Sequence, residues 1–271
     1  MHAAGIAYAV YGEFMLKIVL LVLASGLIPL TYAQQKPKEL LAAALSVSGE
    51  AFFERDGKTA PAKIKTIFFK SDRVFTKKGK IDIQIGPSAV LHLAPYTSVK
   101  LADLTEVDKK THIAVELDSG RGYTKFSKQM PAGSKYAIKS PTMVAAVRGT
   151  EFVLSAGDES AEPHEDSDIP AGVFVNTGKV AVSPASREDE VIELAPGEQI
   201  TGVDNTLVKG VMEDFLKKKM KLFKQLNCMK EAQYKIMERE KNRQIELLEK
   251  VRNSSKMEEL REKNKKLFNN Q

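Results

Sequence analysis

The densest concentration of titratable side chains lies between Gly157 and Pro170, where Asp158, Glu159, Glu162, Glu165, Asp166 and Asp168 cluster with His164. Such carboxylates could supply oxygen ligands to calcium. Calcium loops, however, set their ligands at fixed intervals around a glycine and close on a glutamate, and this spacing does not match. The segment reads as a solvated acidic loop between two strands. The second candidate is Arg148, inside the apolar run Ser140–Leu154 (SPTMVAAVRGTEFVL), where a cation and Gly149 interrupt an apparent strand. An active site, a ligand clamp and a structural bend are the three roles to weigh. The four histidines are isolated in sequence, and there is no glycine-rich phosphate loop, metal-spaced cluster or nucleophile elbow. No catalytic, cofactor-binding or metal-ligating residue is assigned, and the chain reads as non-enzymatic.

The residues around Arg148 favour a bend. Met143, Ala145 and Val147 would face one side of a strand and Val144 and Ala146 the other, small enough for a strand covered on both faces. Gly149 permits a sharp turn that no side chain tolerates, and Phe152 and Leu154 resume burial beyond it. The five donors of the Arg148 guanidinium could hold the carbonyls freed by that turn. Arg148, Gly149, Thr150 and Phe152 are therefore expected to form a structural corner, with a ligand-binding or partner-binding arginine as the alternative.

The surrounding elements alternate with a period of two. Ile81–Ile85, Ile113–Leu117 and Val180–Val182 each place apolar residues on one face. Asp56-Gly57, Lys78-Gly79, Gly86-Pro87, Asp118-Ser119-Gly120 and Pro196-Gly197 punctuate them. Asn176-Thr177-Gly178 sits between two short β runs and suits a three-residue hairpin loop. About a dozen short strands predict a mainly β domain, with β-solenoid-like, β-sandwich and barrel forms all open on pattern alone.

From Val203 the period changes. Val208, Met212, Phe215, Lys219, Leu222, Leu226, Met229, Gln233 and Ile236 are spaced by alternating fours and threes, the seam of a coiled-coil-like helix. One long helix is expected, or two with a hinge at Asn253-Ser254-Ser255. Met212, Phe215, Leu222, Leu226 and Met229 are the candidate contacts to a protein partner or a second copy. This region holds 18 Lys/Arg against 11 Asp/Glu, whereas the remainder is nearly neutral, so an anionic envelope surface is a further candidate partner. Cys228, the one cysteine, falls beside the seam and reads as a lone thiol, exposed or partner-covered, with an intermolecular bridge as the alternative.

Lys17, the apolar run Ile18–Ile28, Pro29 and the small-residue site at Thr31-Tyr32-Ala33 predict a cleavable export signal, with a retained anchor as the alternative. The expected organisation is an over-extended start at 1–14, a signal at 15–33, a linker at 34–41, a β domain at 42–202 and a basic helical tail at 203–271. Periplasmic or envelope placement follows. Nucleic acid is not an expected partner.

Taken in order, Ser140–Phe152 with its Arg-Gly-Thr-x-Phe, Val47-Ser48-Gly49-Glu50, Asp72–Thr76, Ser88–Leu93, Ser98–Leu101, Gly120–Tyr123, Gly178–Val182 and Leu194–Glu198 resemble the FecR domain family. The resemblance spans about residues 42–202, with Ser71 where that family usually has glycine. It implies an exported β-rich domain, solenoid-like or sandwich-like, that sends or receives signals by protein contact. The best-known members precede it with a cytoplasmic sigma-factor-binding segment and a membrane helix. The stretch before the apolar run here is too short for such a segment, so only the extracytoplasmic module carries over. The expected function is a binding or scaffolding module, with a cell-envelope sensor and an anionic-surface binder as alternatives.

Overall fold

A computed structural model describes residues 37–157, 163–164, 166–203 and 206–268. The expected start extension and export signal lie outside these residues, as do Asp158, Glu159, Glu162 and Glu165. The strands are β1 (Lys38–Glu39), β2 (Ala42–Ser48), β3 (Ala51–Arg55), β4 (Lys58–Pro61), β5 (Ile67–Phe68) and β6 (Arg73–Thr76). They continue as β7 (Lys80–Ile85), β8 (Ala89–Leu93), β9 (Ser98–Val107), β10 (Lys110–Phe126), β11 (Lys135–Lys139) and β12 (Met143–Val147). The series ends with β13 (Glu151–Gly157), β14 (Gly172–Thr177), β15 (Val180–Pro184), β16 (Ile192–Leu194), β17 (Glu198–Val203) and β18 (Thr206–Val211). Helix α1 (Asp214–Lys219), a 3-10 turn (Met220–Lys224) and helix α2 (Glu231–Phe268) follow. The protein is thus mainly β with a C-terminal helix.

The strands form two ladders. Sheet A runs β4-β3-β6-β9-β10-β11-β12-β15-β16, with β1 beside the far end of β9. Sheet B runs β5-β2-β7-β8-β10-β13-β14-β17-β18. Pairing is antiparallel except between β10 and β11. Neither ladder returns to its first strand among the described residues, so both sheets are open. Residues Lys110–Ser119 of β10 pair in sheet A and Gly120–Phe126 in sheet B.

That strand reveals the plan of the body. The chain repeatedly passes between the sheets at a corner: β2 to β3 at Gly49, β6 to β7 at Gly79, within β10 at Gly120, β12 to β13 at Gly149, β14 to β15 at Gly178, and β16 to β17 at Gly197. Asn176-Thr177-Gly178 therefore does not close a hairpin. Its flanking strands belong to different sheets, and their partners are β13 and β17 on one side, β12 and β16 on the other. By contrast, Asp56-Gly57 (φ 50° and 72°) joins the hairpin β3–β4, both residues adopting the positive φ of a two-residue loop.

Inward residues of both sheets share one core, in which Ile81, Ile83, Ile85, Leu91 and Leu93 meet Val74, Val99, Leu101, Val115 and Leu117. The outer faces differ. Across sheet B lies a second cluster, where Tyr123, Val153 and Phe174 pack under Met212, Leu216, Met220, Phe223 and Leu226. Farther along the same face, Leu41, Ala43 and Ile67 receive Tyr234, with Met229 and Met237 beside them. Residues 212–241 thus cross sheet B as a strap. The outer face of sheet A carries no such cover among the described residues. All three clusters lie within one compact unit, residues 37–271.

The expected seam is accordingly corrected. Residues 206–211 are strand rather than helix, so the β body extends beyond Gly202. The helix is interrupted at Gln225–Lys230, where Met229 N donates to Gln84 Oε1 at 2.9 Å and Cys228 Sγ donates to Ser88 O at 3.3 Å. Asn253-Ser254-Ser255 is helical, the Ser254 hydroxyl bonding back to Lys250 O. Between Met212 and Leu226, which are buried as seam residues, the stripe runs one residue later: Leu216, Met220 and Phe223 are enclosed, whereas Phe215 is partly exposed and Leu222 only partly buried.

Candidate functional site

The Arg-Gly-Thr segment is a crossing between sheets. On its approach, Met143 and Ala145 are fully enclosed and Val147 is nearly so, whereas Val144 is half-buried and Ala146 exposed. The strand is covered on one face only, because nothing among the described residues lies over sheet A. Gly149 then adopts φ 120°, where a Cβ would stand 3.0 Å from Gln129 Cα. An L side chain there is strained twice, by torsion and by backbone contact. Thr150 is buried and its carbonyl accepts from Phe126 N at 3.3 Å. The neighbouring corner closes on it, since a Cβ at Gly178 (φ 77°) would sit 2.6 Å from Thr150 Cγ2. Phe152 enters the shared core, fully enclosed.

Arg148 does not clamp this corner. Its side chain is exposed and has no hydrogen bond or ion pair among the described residues. It continues the outward register of Val144 and Ala146 onto the bare face of sheet A. Around it runs a level row of small side chains, Ala114, Ala137, Ala146 and Ala181, aligned across four adjacent strands. Lys139–Glu188 (2.9 Å) and Lys179–Glu193 (2.6 Å) are exposed pairs beside that row. Exposed pairs of this kind contribute little to stability.

The buried arginine of the corner series is Arg121, which the sequence reading passed over. It follows Gly120, is fully enclosed on the outer face of sheet B, and donates from Nε and Nη2 to Ile169 O at 3.4 and 3.3 Å. The segment around Ile169 roofs it. The acidic cluster is partly neutralised there: Lys219 approaches Asp168 at 3.0 Å and Asp166 at 3.4 Å. Burial opposes the Lys219 charge, but the two aspartates outweigh it and raise its pKa.

One polar row on sheet B resembles a catalytic set at first sight. Asp82 accepts from the Ser46 hydroxyl at 2.5 Å and meets His92 Nδ1 at 2.6 Å. The order is wrong for nucleophile activation, which needs the histidine between serine and carboxylate. Here Asp82 is central and the three are cross-strand neighbours of a sheet. Burial pushes the Asp82 pKa up, and the His92 and Ser46 bonds more than reverse that, leaving it lowered. Among the described residues no group of three His, Cys, Asp or Glu side chains could hold a metal.

Of the seam residues, Met212 and Leu226 are buried in the strap, and Leu222 and Met229 pack against its clusters. Phe215 remains 37% exposed. The strap is held at its end by Lys241, wholly enclosed, whose Nζ donates to Glu39 O at 2.6 Å and Leu40 O at 2.7 Å. Beyond it α2 continues with Leu247, Leu248, Val251 and Met257 exposed. No helix among the described residues is long and apolar enough to cross a membrane.

Residues 72–181 match the family described as FecR protein, a span that begins at β6 and ends within β15, and so contains the Gly79, Gly120, Gly149 and Gly178 corners. No curated protein matches the chain. Two crystal structures of a proposed anti-sigma factor from Parabacteroides distasonis ATCC 8503, at 2.50 and 1.65 Å resolution, are similar with 22% identity and a TM-score of 0.41. The similarity covers 52% of this chain and 60% of that protein.

Proposed function

With residues 72–181 matching the family described as FecR protein, we propose that this chain is a non-catalytic component of a cell-envelope signalling system, receiving a protein partner on the bare face of sheet A. One observation carries this reading. The glycine, threonine and phenylalanine of the Arg-Gly-Thr-x-Phe segment have structural duties at the corner, but Arg148 holds nothing among the described residues. An exposed arginine with no ion-pair partner among the described residues, beside a level alanine row, is suited to a partner's carboxylate, which its planar fork can hold in two bonds. Export through residues 15–33 and a solenoid-like use of the β body belong to the same proposal.

The test is a photo-crosslinking residue introduced at Arg148 or Ala146 in intact cells. A discrete protein adduct from both positions, absent when the probe is placed at Lys250, is the expected result. No adduct, or the same adducts from all three positions, rejects the reading.

A second reading is self-association through a coiled coil of the projecting part of α2. It is favoured by Leu247 and Leu248, each 54% exposed, and Val251 at 63%. Sedimentation of the full chain against one ending at Asn242 tests it, and equal association states refute it.

A further inference from the structure

The basic character expected of the whole tail is concentrated on the strap. Lys217, Lys218, Lys219, Lys221 and Lys224 occupy five of eight consecutive positions. Lys217 pairs with Asp214 at 3.0 Å and Lys219 with Asp168. Lys218, Lys221 and Lys224 are exposed and have no ion-pair partner among the described residues. They are spaced by three, with Lys221 and Lys224 in the 3-10 turn Met220–Lys224 and Lys218 in the last turn of α1. Residues three apart eclipse in 3-10 geometry, which sets Lys221 and Lys224 in one outward row, and Lys218, three positions earlier on the α-helical turn, neighbours that row. The opposite row, Met220, Phe223 and Leu226, is locked onto sheet B. The ridge is therefore ordered before any ligand arrives. Phe215 stands partly exposed beside Lys218, and together with Lys80, Lys221, Asp166 and Asp168 they border a cavity of about 520 Å³.

We propose that this ridge docks on an anionic phospholipid surface, Lys218, Lys221 and Lys224 meeting the headgroups and Phe215 entering the interface. The proposal is independent of the partner face on sheet A. Two features favour lipid over a protein or nucleic acid. Lysine is depleted at protein–protein interfaces. Recognition of individual phosphates or carboxylates favours the arginine fork, yet no arginine occurs between Arg187 and Arg239. A row of flexible, hydrated point charges suits a diffuse negative surface, each lysine contributing roughly fivefold in affinity.

The test uses residues 37–271 and sedimentation with phosphatidylcholine vesicles, with or without phosphatidylglycerol. Binding is expected only with phosphatidylglycerol, and it should disappear between about 50 mM and about 500 mM NaCl. The combined Lys218→Glu, Lys221→Glu and Lys224→Glu variant should melt as wild type and bind on the order of 100-fold more weakly. Reversing Lys250, Arg252 and Lys256 on α2 should change binding by less than about threefold. Absence of binding at low salt, full binding by the ridge variant, or equal loss in the α2 variant overturns the proposal. So does tighter capture of the row by an acidic protein, a nucleic acid or free pyrophosphate than by the vesicles.

Discussion

The two outer faces of the β body carry opposite chemistry on strands that are joined end to end. On sheet B, Phe152–Ser155 of β13, Val173–Val175 of β14 and the whole of β8 are buried on both sides, because the strap lies over them. On sheet A, Ile113–Leu117 and Tyr136–Ile138 alternate between enclosed and part-exposed, because nothing among the described residues covers them. The same chain changes pattern each time it turns a corner. Continuous apolar runs mark a sheet with two covered faces, and alternation marks a sheet with one.

The sharpest way to break this contrast is a charge on each face. Val153→Lys places an ammonium beneath the strap at a fully enclosed position and should cost at least about 4 kcal/mol, enough to prevent folding in a domain of ordinary stability. The matching Ala146→Lys on sheet A should stay within about 0.5 kcal/mol. Chemical denaturation of both variants decides it; similar losses would mean that sheet A is covered after all.

Next in size is the corner itself. Gly149→Val forces a branched side chain to φ 120° against Gln129 Cα and should cost about 3 kcal/mol in thermal or urea unfolding. Unchanged unfolding would remove the corner from the list of structural constraints. A comparable loss is expected from Arg121→Met, about 2–3 kcal/mol, since Ile169 O loses its guanidinium donors beneath a closed roof.

These two positions show what was legible in the sequence. Gly149 was readable because an apolar run with a glycine at its centre has few explanations. Gly49, Gly79, Gly120, Gly178 and Gly197 were read as turns or parts of separate motifs, since no local pattern says whether a turn returns to its own sheet or crosses to another. The small side chains of Val144-Ala145-Ala146 misled about coverage: alanine is compatible with a buried and with a bare face. The strap was visible as periodicity, correctly phased at Met212 and Leu226 but one residue early between them. A stripe through Leu216, Met220 and Phe223 would have been apolar throughout, whereas the one through Phe215, Lys219 and Leu222 carried a lysine. Neither stripe by itself says whether the groove it fills belongs to another copy or to its own sheet.

A smaller, pH-dependent effect separates the core from the strap. Burial raises the pKa of Tyr136 in the core, with its Thr124 bond partly opposing the rise. Burial also raises that of Tyr234 in the strap, assisted by Glu238 and Glu106. The folded state holds both protons more tightly than the unfolded chain, so their stabilisation is complete below the ordinary tyrosine value of 10.0 and is lost as pH rises above it. Tyr234→Phe should flatten part of the fall in denaturation midpoint between pH 10 and pH 11. A profile that stays level across that interval would contradict the burial assigned to both hydroxyls. At the acid end the sign is reversed. The lowered Asp82 stabilises the fold above the ordinary aspartate value of 3.8 and ceases to do so as pH falls below it.

The smallest expected change in stability is also the most informative about function. Arg148→Lys removes a planar fork from an exposed side chain that holds nothing among the described residues. Unfolding should shift by less than about 0.5 kcal/mol, because no buried carbonyl depends on that guanidinium. Partner capture should nevertheless fall, since lysine offers a point charge where two parallel bonds were available. A structural arginine predicts the reverse pattern, with stability lost and capture following it down. Measuring both quantities on one variant separates the two cases, because Gly149→Val provides the reference for damage to the corner and Arg148→Lys should share none of it.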